Sequence, residues 1–71
     1  MGQALEIRVN GRHLPVGAAT IAELLAEQTI EVGQRGIAVA LNGSVVPRSV
    51  WGETALRPGD SVEIVRAMQG G

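Results

Sequence analysis

The sequence predicts an α+β fold in which a sheet packs on one short helix. Three observations carry that prediction. Apolar and charged residues alternate from Leu5 to Val9; Asn-Gly dipeptides stand at Asn10-Gly11 and Asn42-Gly43; and a single capping signature, Thr20-Ile21-Ala22-Glu23, opens the only amphipathic helical stretch. Strands surround one helix in the chain order, with no internal repeat, linker or low-complexity segment, so one sheet covers one helix.

Each element follows from local chemistry. In the first strand Leu5, Ile7 and Val9 share one face while Glu6 and Arg8 share the other, the period of a half-buried strand. Asn10-Gly11 tolerates the positive φ angles of a type I′ turn, and Leu14 and Val16 resume the alternation, so the chain opens with a β-hairpin. The capping box then starts a helix. Its Thr20 hydroxyl accepts from a first-turn amide while Glu23 reaches back to the amide of Thr20 itself. Ile21, Leu24 and Leu25 form the apolar stripe, with Glu23 and Glu27 outside. The helix is expected to fade near Gln28, because Thr29, Ile30 and Val32 are β-branched and Gly33 and Gly36 break the next stretch into a loop.

Ile37 to Leu41 is apolar on both faces, the pattern of a central strand: Ile37, Val39 and Leu41 point one way, Ala38 and Ala40 the other. Asn42-Gly43 makes a second tight turn. Val45-Val46 then reads as a short return strand closed by Pro47, which cannot donate to a ladder, and this suits a sheet edge. Arg57-Pro58-Gly59-Asp60 fits a type II turn and launches a last strand from Ser61 to Ala67, with Val62 and Ile64 facing the core.

Composition excludes most kinds of chemistry. At 71 residues the chain is one small domain, of a size that buries only roughly 60% of its unfolded surface, and a deep private active site is not expected. Apolar residues at 45% against charged residues at 18% fit a globular core and argue against disorder. There is no Cys, so disulfides and thiolate metal sites are excluded, and one His, His13, supplies neither a metal cluster nor a catalytic triad. His13 beside a hairpin turn is expected to be an exposed strand residue. Trp51, the only aromatic residue, is expected to plug the core beside the edge strand, where its bulk stands in for the missing Phe and Tyr.

The net charge is −1, and all six basic residues are scattered arginines, so nucleic acid is not an expected partner. No apolar run approaches membrane-spanning length, no basic stretch precedes an apolar one at the start, and Glu6 stands where myristoylation requires Ser or Thr. A cytosolic location and no membrane contact are expected. Lysine is absent, which leaves the α-amino group as the only aliphatic amine. Two of the six arginines, Arg48 after Pro47 and Arg66 near the tail, could meet acidic groups on a partner.

The chain finishes Met68-Gln69-Gly70-Gly71. Glycine has no Cβ, so such a tail adopts almost any backbone angle and fits a channel too narrow for other residues. In a chain this poor in nucleophiles, the carboxylate of Gly71 is the expected reactive group, with residues 1–67 as the folded domain and 68–71 as a flexible tail. The chemistry would take place in a partner's pocket.

The hairpin from Leu5 to Val16, Thr20 to Leu25, Ala38-Val39-Ala40-Leu41-Asn42-Gly43, Val46-Pro47-Arg48 with Trp51, Pro58-Gly59-Asp60 and Gly70-Gly71 together resemble the β-grasp, ubiquitin-like sulfur carriers. Gly59-Asp60 and the terminal glycines are shared with the small subunit of molybdopterin synthase; Val46-Pro47-Arg48 followed by Trp51 is most similar to the ThiS family, carriers for the thiazole half of thiamin. Ala67-Met68-Gln69 departs from the small or β-branched residue more often found before the glycines. The resemblance implies a mixed sheet of four to five strands on one short helix. It also implies a protein co-substrate, not an enzyme, with no bound cofactor: a ThiF-like activating enzyme uses ATP to adenylate Gly71, a persulfide donor converts it to a thiocarboxylate, and a ThiG-like thiazole synthase receives the sulfur. A molybdopterin carrier, a ubiquitin-like modifier and a plain interaction domain stand as alternatives. The expected partner surface comprises Ala38, Ala40, Val65, Arg66 and Ala67, continuing through Met68 and Gln69.

Overall fold

The computed structural model describes residues 4–28 and 36–66. In chain order the elements are strand β1 (Leu5–Val9), strand β2 (Arg12–Val16), helix α1 (Ile21–Glu27), strand β3 (Ile37–Leu41), strand β4 (Ser44–Val45), a 3₁₀ helix (Arg48–Glu53) and strand β5 (Ser61–Arg66). The five strands form one sheet in the order β2-β1-β5-β3-β4. β1 runs parallel to β5, with Val9 beside Val62, and the other pairings are antiparallel. A mixed sheet of this order over one short helix is the β-grasp arrangement.

The two Asn-Gly turns form as their residue types predict. Asn10 and Asn42 both adopt φ 51, with Gly11 at φ 84 and Gly43 at φ 89, the left-handed pair that a type I′ turn requires. The register they set places Ile7 opposite Leu14 in the first hairpin and Ala40 opposite Val45 in the second. Gly59, at φ 88, gives the Pro58-Gly59 turn its type II form, and the Asp60 carboxylate accepts from Arg57 N–H at 2.8 Å.

Helix α1 buries Ile21, Leu24 and Leu25 completely against the inner face of the sheet, and each contributes roughly 1.5–3 kcal/mol by leaving water. Its cap differs from the expected box in one respect. Thr20 Oγ1 accepts from Glu23 N–H at 3.2 Å, but Glu23 Oε1 accepts from the amide of Ala19, at 2.8 Å, and not from that of Thr20. The cause is a bridge to the segment before β5. Ile21 N–H donates to the Thr54 carbonyl and Leu56 N–H to the Ala19 carbonyl, which holds Thr20 extended and brings the earlier amide within reach of Glu23. The loop expected after Gln28 lies outside the described residues up to Arg35.

Two further expectations are corrected, and a third holds in part. β3 is an interior strand, paired with β5 on one side and, at Ala40 and Leu41, with β4 on the other, but the middle of the sheet is β5, and the outward Ala38 is exposed where a second layer would cover it. The return strand stops at Val45: Val46 is buried as the alternation requires and its N–H still reaches the Val39 carbonyl at 2.8 Å, but its own carbonyl accepts from Trp51 Nε1 at 2.8 Å. Finally, Pro47 does not simply end a strand but caps the 3₁₀ helix that carries Trp51 into the core. Trp51 is thus the inward plug the sequence predicts, with the Arg48 guanidinium 5.0 Å from its ring centre on the outside. The last strand is described as far as Arg66, and Ala67 lies beyond the described residues.

Candidate functional site

β5 is the last described strand, and residues 67–71 follow it in the sequence. Its alternation is strict: Val62 and Ile64 are buried on the inner face, and Glu63 and Val65 point outward. Val65 lies opposite Ala38 on β3, and Glu63 lies opposite Ala40, so the structure brings Ala38, Ala40 and Val65 onto one outer surface. Ala67, Met68, Gln69, Gly70 and Gly71 lie outside the described residues.

Arg66 does not join that surface. It pairs with Ile37, whose side chain is buried, and therefore belongs to the opposite side of the sheet. There it lines a depression of about 400 Å³ together with Val9, Asn10, Gln28 and Ile64.

Sequence reasoning missed Val45. It is 77% exposed, Val65 is 60% exposed, and these are the large apolar side chains most open to solvent among the described residues. Val45 stands across from Ala40, so an apolar strip crosses β4, β3 and the end of β5 beside the single charge of Glu63. The signal was present: of two consecutive valines in an extended segment, only one can face the core.

The other half of the outer face is polar. Glu6 and Arg8 of β1 lie outward, and Arg8 Nη2 donates to the ring of His13, its cross-strand neighbour on β2, at 3.1 Å from Nε2. His13 is exposed. Among the described residues no three His, Asp or Glu side chains group into a set that could hold a metal ion, and no helix is long and apolar enough to cross a membrane.

Comparison with known proteins places this geometry. The model of the ThiS family matches residues 7–71, a span that includes both terminal glycines. The sulfur carrier protein ThiS of Thermus thermophilus is 38% identical over 63 residues, which are 89% of this chain and 95% of that protein. A crystal structure of the thiamine biosynthesis protein ThiS from Geobacter metallireducens superposes with a TM-score of 0.76 at 35% identity, covering 94% of this chain and all of that one. A solution structure of a thiamine biosynthesis protein from the same organism gives 0.74 at 30% identity, covering 94% of this chain and 88% of that one. A family match over nearly the whole chain, a relative of matching length and a shared fold agree: the chain belongs to the ThiS family.

Proposed function

We propose that this protein is a sulfur carrier of thiamin biosynthesis, acting in the cytosol, and that the α-carboxylate of Gly71 is the group that carries the sulfur. The observation that carries this reading is the family match over residues 7–71, both terminal glycines included.

A free α-carboxyl has an ordinary pKa of about 3.5, is ionised at neutral pH, and is a poor electrophile. Activation converts it. A carboxylate oxygen of Gly71 attacks the α-phosphorus of ATP on a ThiF-like activating enzyme, pyrophosphate leaves, and a mixed anhydride with AMP forms. The terminal sulfur of a protein persulfide then attacks the carbonyl carbon and expels AMP; a thiol cleaves the remaining S–S bond and releases the thiocarboxylate. A ThiG-like thiazole synthase takes up that sulfur. Gly70 and Gly71 present no side chains to the narrow sites that must admit them.

The domain supplies recognition. The strip formed by Val45, Ala40, Ala38 and Val65 is the surface on which the activating enzyme docks, since it is an exposed apolar row and ends at Val65, six residues before Gly71 in the sequence.

The test is intact-mass measurement after incubation with an activating enzyme, ATP and a persulfide donor. The full chain is expected to gain the mass of an oxygen-to-sulfur exchange. A chain lacking Gly71 is expected to gain none while keeping its thermal unfolding midpoint, because a terminal residue makes few buried contacts. Failure of the full chain to exchange, or isopeptide adducts on other proteins in place of a thiocarboxylate, overturns the reading.

A further inference from the structure

Both tight turns aim their asparagine at the strand that bears the tail. At the start of β5, Asn42 Oδ1 accepts from Ser61 N–H at 2.9 Å, and its Nδ2 donates to Asp60 Oδ1 at 3.1 Å. Near the other end, Asn10 Oδ1 accepts from Ile64 N–H at 2.7 Å, and its Nδ2 donates to the Ile64 carbonyl at 3.3 Å. One side-chain amide thus engages both backbone groups of a residue 54 positions away.

The two clamps differ in what else holds the strand beside them. The start of β5 is secured several times over: Arg8 N–H reaches the Asp60 carbonyl at 2.9 Å, Gly59 N–H the Glu6 carbonyl at 2.8 Å, and Asn42 N–H the Ser61 carbonyl at 2.7 Å. Toward the tail, support on the β1 side runs out. The parallel register ends at Val9 beside Val62, and the last main-chain bond is Asn10 N–H to the Val62 carbonyl at 2.8 Å. β1 then turns away through Gly11. The Asn10 carboxamide offers Ile64 the donor and acceptor that a continuing strand would have offered, extending the ladder by one step.

We infer that Asn10 is a positioning residue for the C-terminal tail: β3 pairs with β5 out to Arg66, and the Asn10 carboxamide secures the opposite side of the strand at Ile64, beyond the end of β1, and so sets the line along which Gly71 is presented to the activating enzyme. This role rests on the carrier reading above. A tail that leaves from a fixed point has less freedom to lose when the carrier seats on the enzyme, and ordering a segment in advance strengthens binding by cutting that cost. Asn10 touches no reacting atom, so its loss weakens productive seating of the carrier and leaves the chemical step unchanged.

Asn42 is the control that separates positioning from stability. Glycine accepts φ near +51 without strain, so N10G and N42G each keep the turn and delete only the carboxamide. Thermal unfolding, amide exchange and ATP-pyrophosphate exchange with the carrier as varied substrate are measured on both. Comparable modest losses of midpoint are expected. N10G is expected to raise the KM for the carrier about five- to tenfold with kcat within about twofold, the pattern of lost binding common to ground and transition states, and N42G to raise it less than about twofold. N10D, which keeps the acceptor for Ile64 N–H and loses the donor, should fall between wild type and N10G. Faster exchange of the Ile64 amide in N10G alone identifies the clamp as the cause. Equal KM changes in N10G and N42G, or a wild-type KM in N10G, overturn the role of Asn10 and leave the carrier reading standing. A wild-type chain that supports no exchange removes the carrier reading itself.

Discussion

The two faces of this sheet share the same five strands and differ in what their side chains meet. On the inner face large branched side chains, Ile7, Val39, Val62 and Ile64, close on Ile21, Leu24, Leu25 and Trp51, and every buried polar side-chain atom among the described residues has a partner. On the outer face the same strands alternate to short or charged residues: Ala38 and Ala40 on β3, Glu63 and Val65 on β5, Glu6 and Arg8 on β1. The difference teaches where each kind of substitution should register. Inner-face changes act on folding, because close-packed contacts are lost and nothing replaces them. Outer-face changes should leave folding nearly untouched, because the side chains there already stand in water, and on the proposed carrier reading they act on partner recognition instead.

The strongest challenge to this division is Trp51. It is 2% exposed, the largest fully buried side chain, and its Nε1–H is committed to the Val46 carbonyl. Trp51→Ala should cost about 3–5 kcal/mol, a large share of the roughly 5–15 kcal/mol typical of a whole domain, and chemical denaturation followed by circular dichroism should show it. Trp51→Phe keeps much of the packing and leaves the Val46 carbonyl without its donor, so a loss of about 1–3 kcal/mol is expected. A Trp51→Ala protein of unchanged stability that binds its activating enzyme poorly would make Trp51 an interface anchor and break the division.

A smaller effect is expected on the other side. Val65→Asp puts a charge into the apolar strip at a position already 60% exposed. Stability should change by less than about 1 kcal/mol, the span of strand propensities. The KM for the carrier in adenylation should rise about tenfold, equivalent to about 1.4 kcal/mol. Val45→Asp, at the edge strand across from Ala40, should act in the same direction. Unfolding by either substitution would show that the outer strip contributes to the core.

The parts of the molecule visible in the sequence are those set by neighbours along the chain. Alternation in Leu5 to Val9, the positive-φ turns at Asn10 and Asn42, the Thr20 cap and the Pro58-Gly59 turn all depend on a few adjacent residues, and each formed where expected. What could not be read depends on contacts made across the fold. Glu23 bonds Ala19 and not Thr20 because a distant segment, Thr54 to Leu56, fixes the approach to the helix. Val46 leaves its strand because Trp51 requires its carbonyl. The outward direction of Ala38, Ala40 and Val65 followed from periodicity, and the same alternation puts Arg66 on the face of Val62 and Ile64, which the register against Ile37 bears out. The clamp of Asn10 on Ile64 spans 54 residues and has no local signature beyond the turn itself.

The smallest effect is expected from Arg8→Ala, and it sharpens the comparison by dividing the outer face in two. Arg8 is exposed and bonds only to exposed His13 among the side-chain contacts described for it, and an exposed polar pair of this kind contributes at most about 0.5 kcal/mol. In a domain of this length that is a midpoint shift of about 2–4 °C at most. If docking is confined to the strip on β4, β3 and the end of β5, the KM for the carrier should stay within about twofold of wild type. Should Arg8→Ala move it further, salt distinguishes two causes. A long-range field that steers encounter fades as ionic strength rises, since exposed charges are screened within about 10 Å at roughly 0.1 M salt, whereas loss of an apolar contact such as that of Val65 persists. A KM increase in Arg8→Ala that survives high salt would place Arg8 inside the contact and extend the docking surface across the whole sheet.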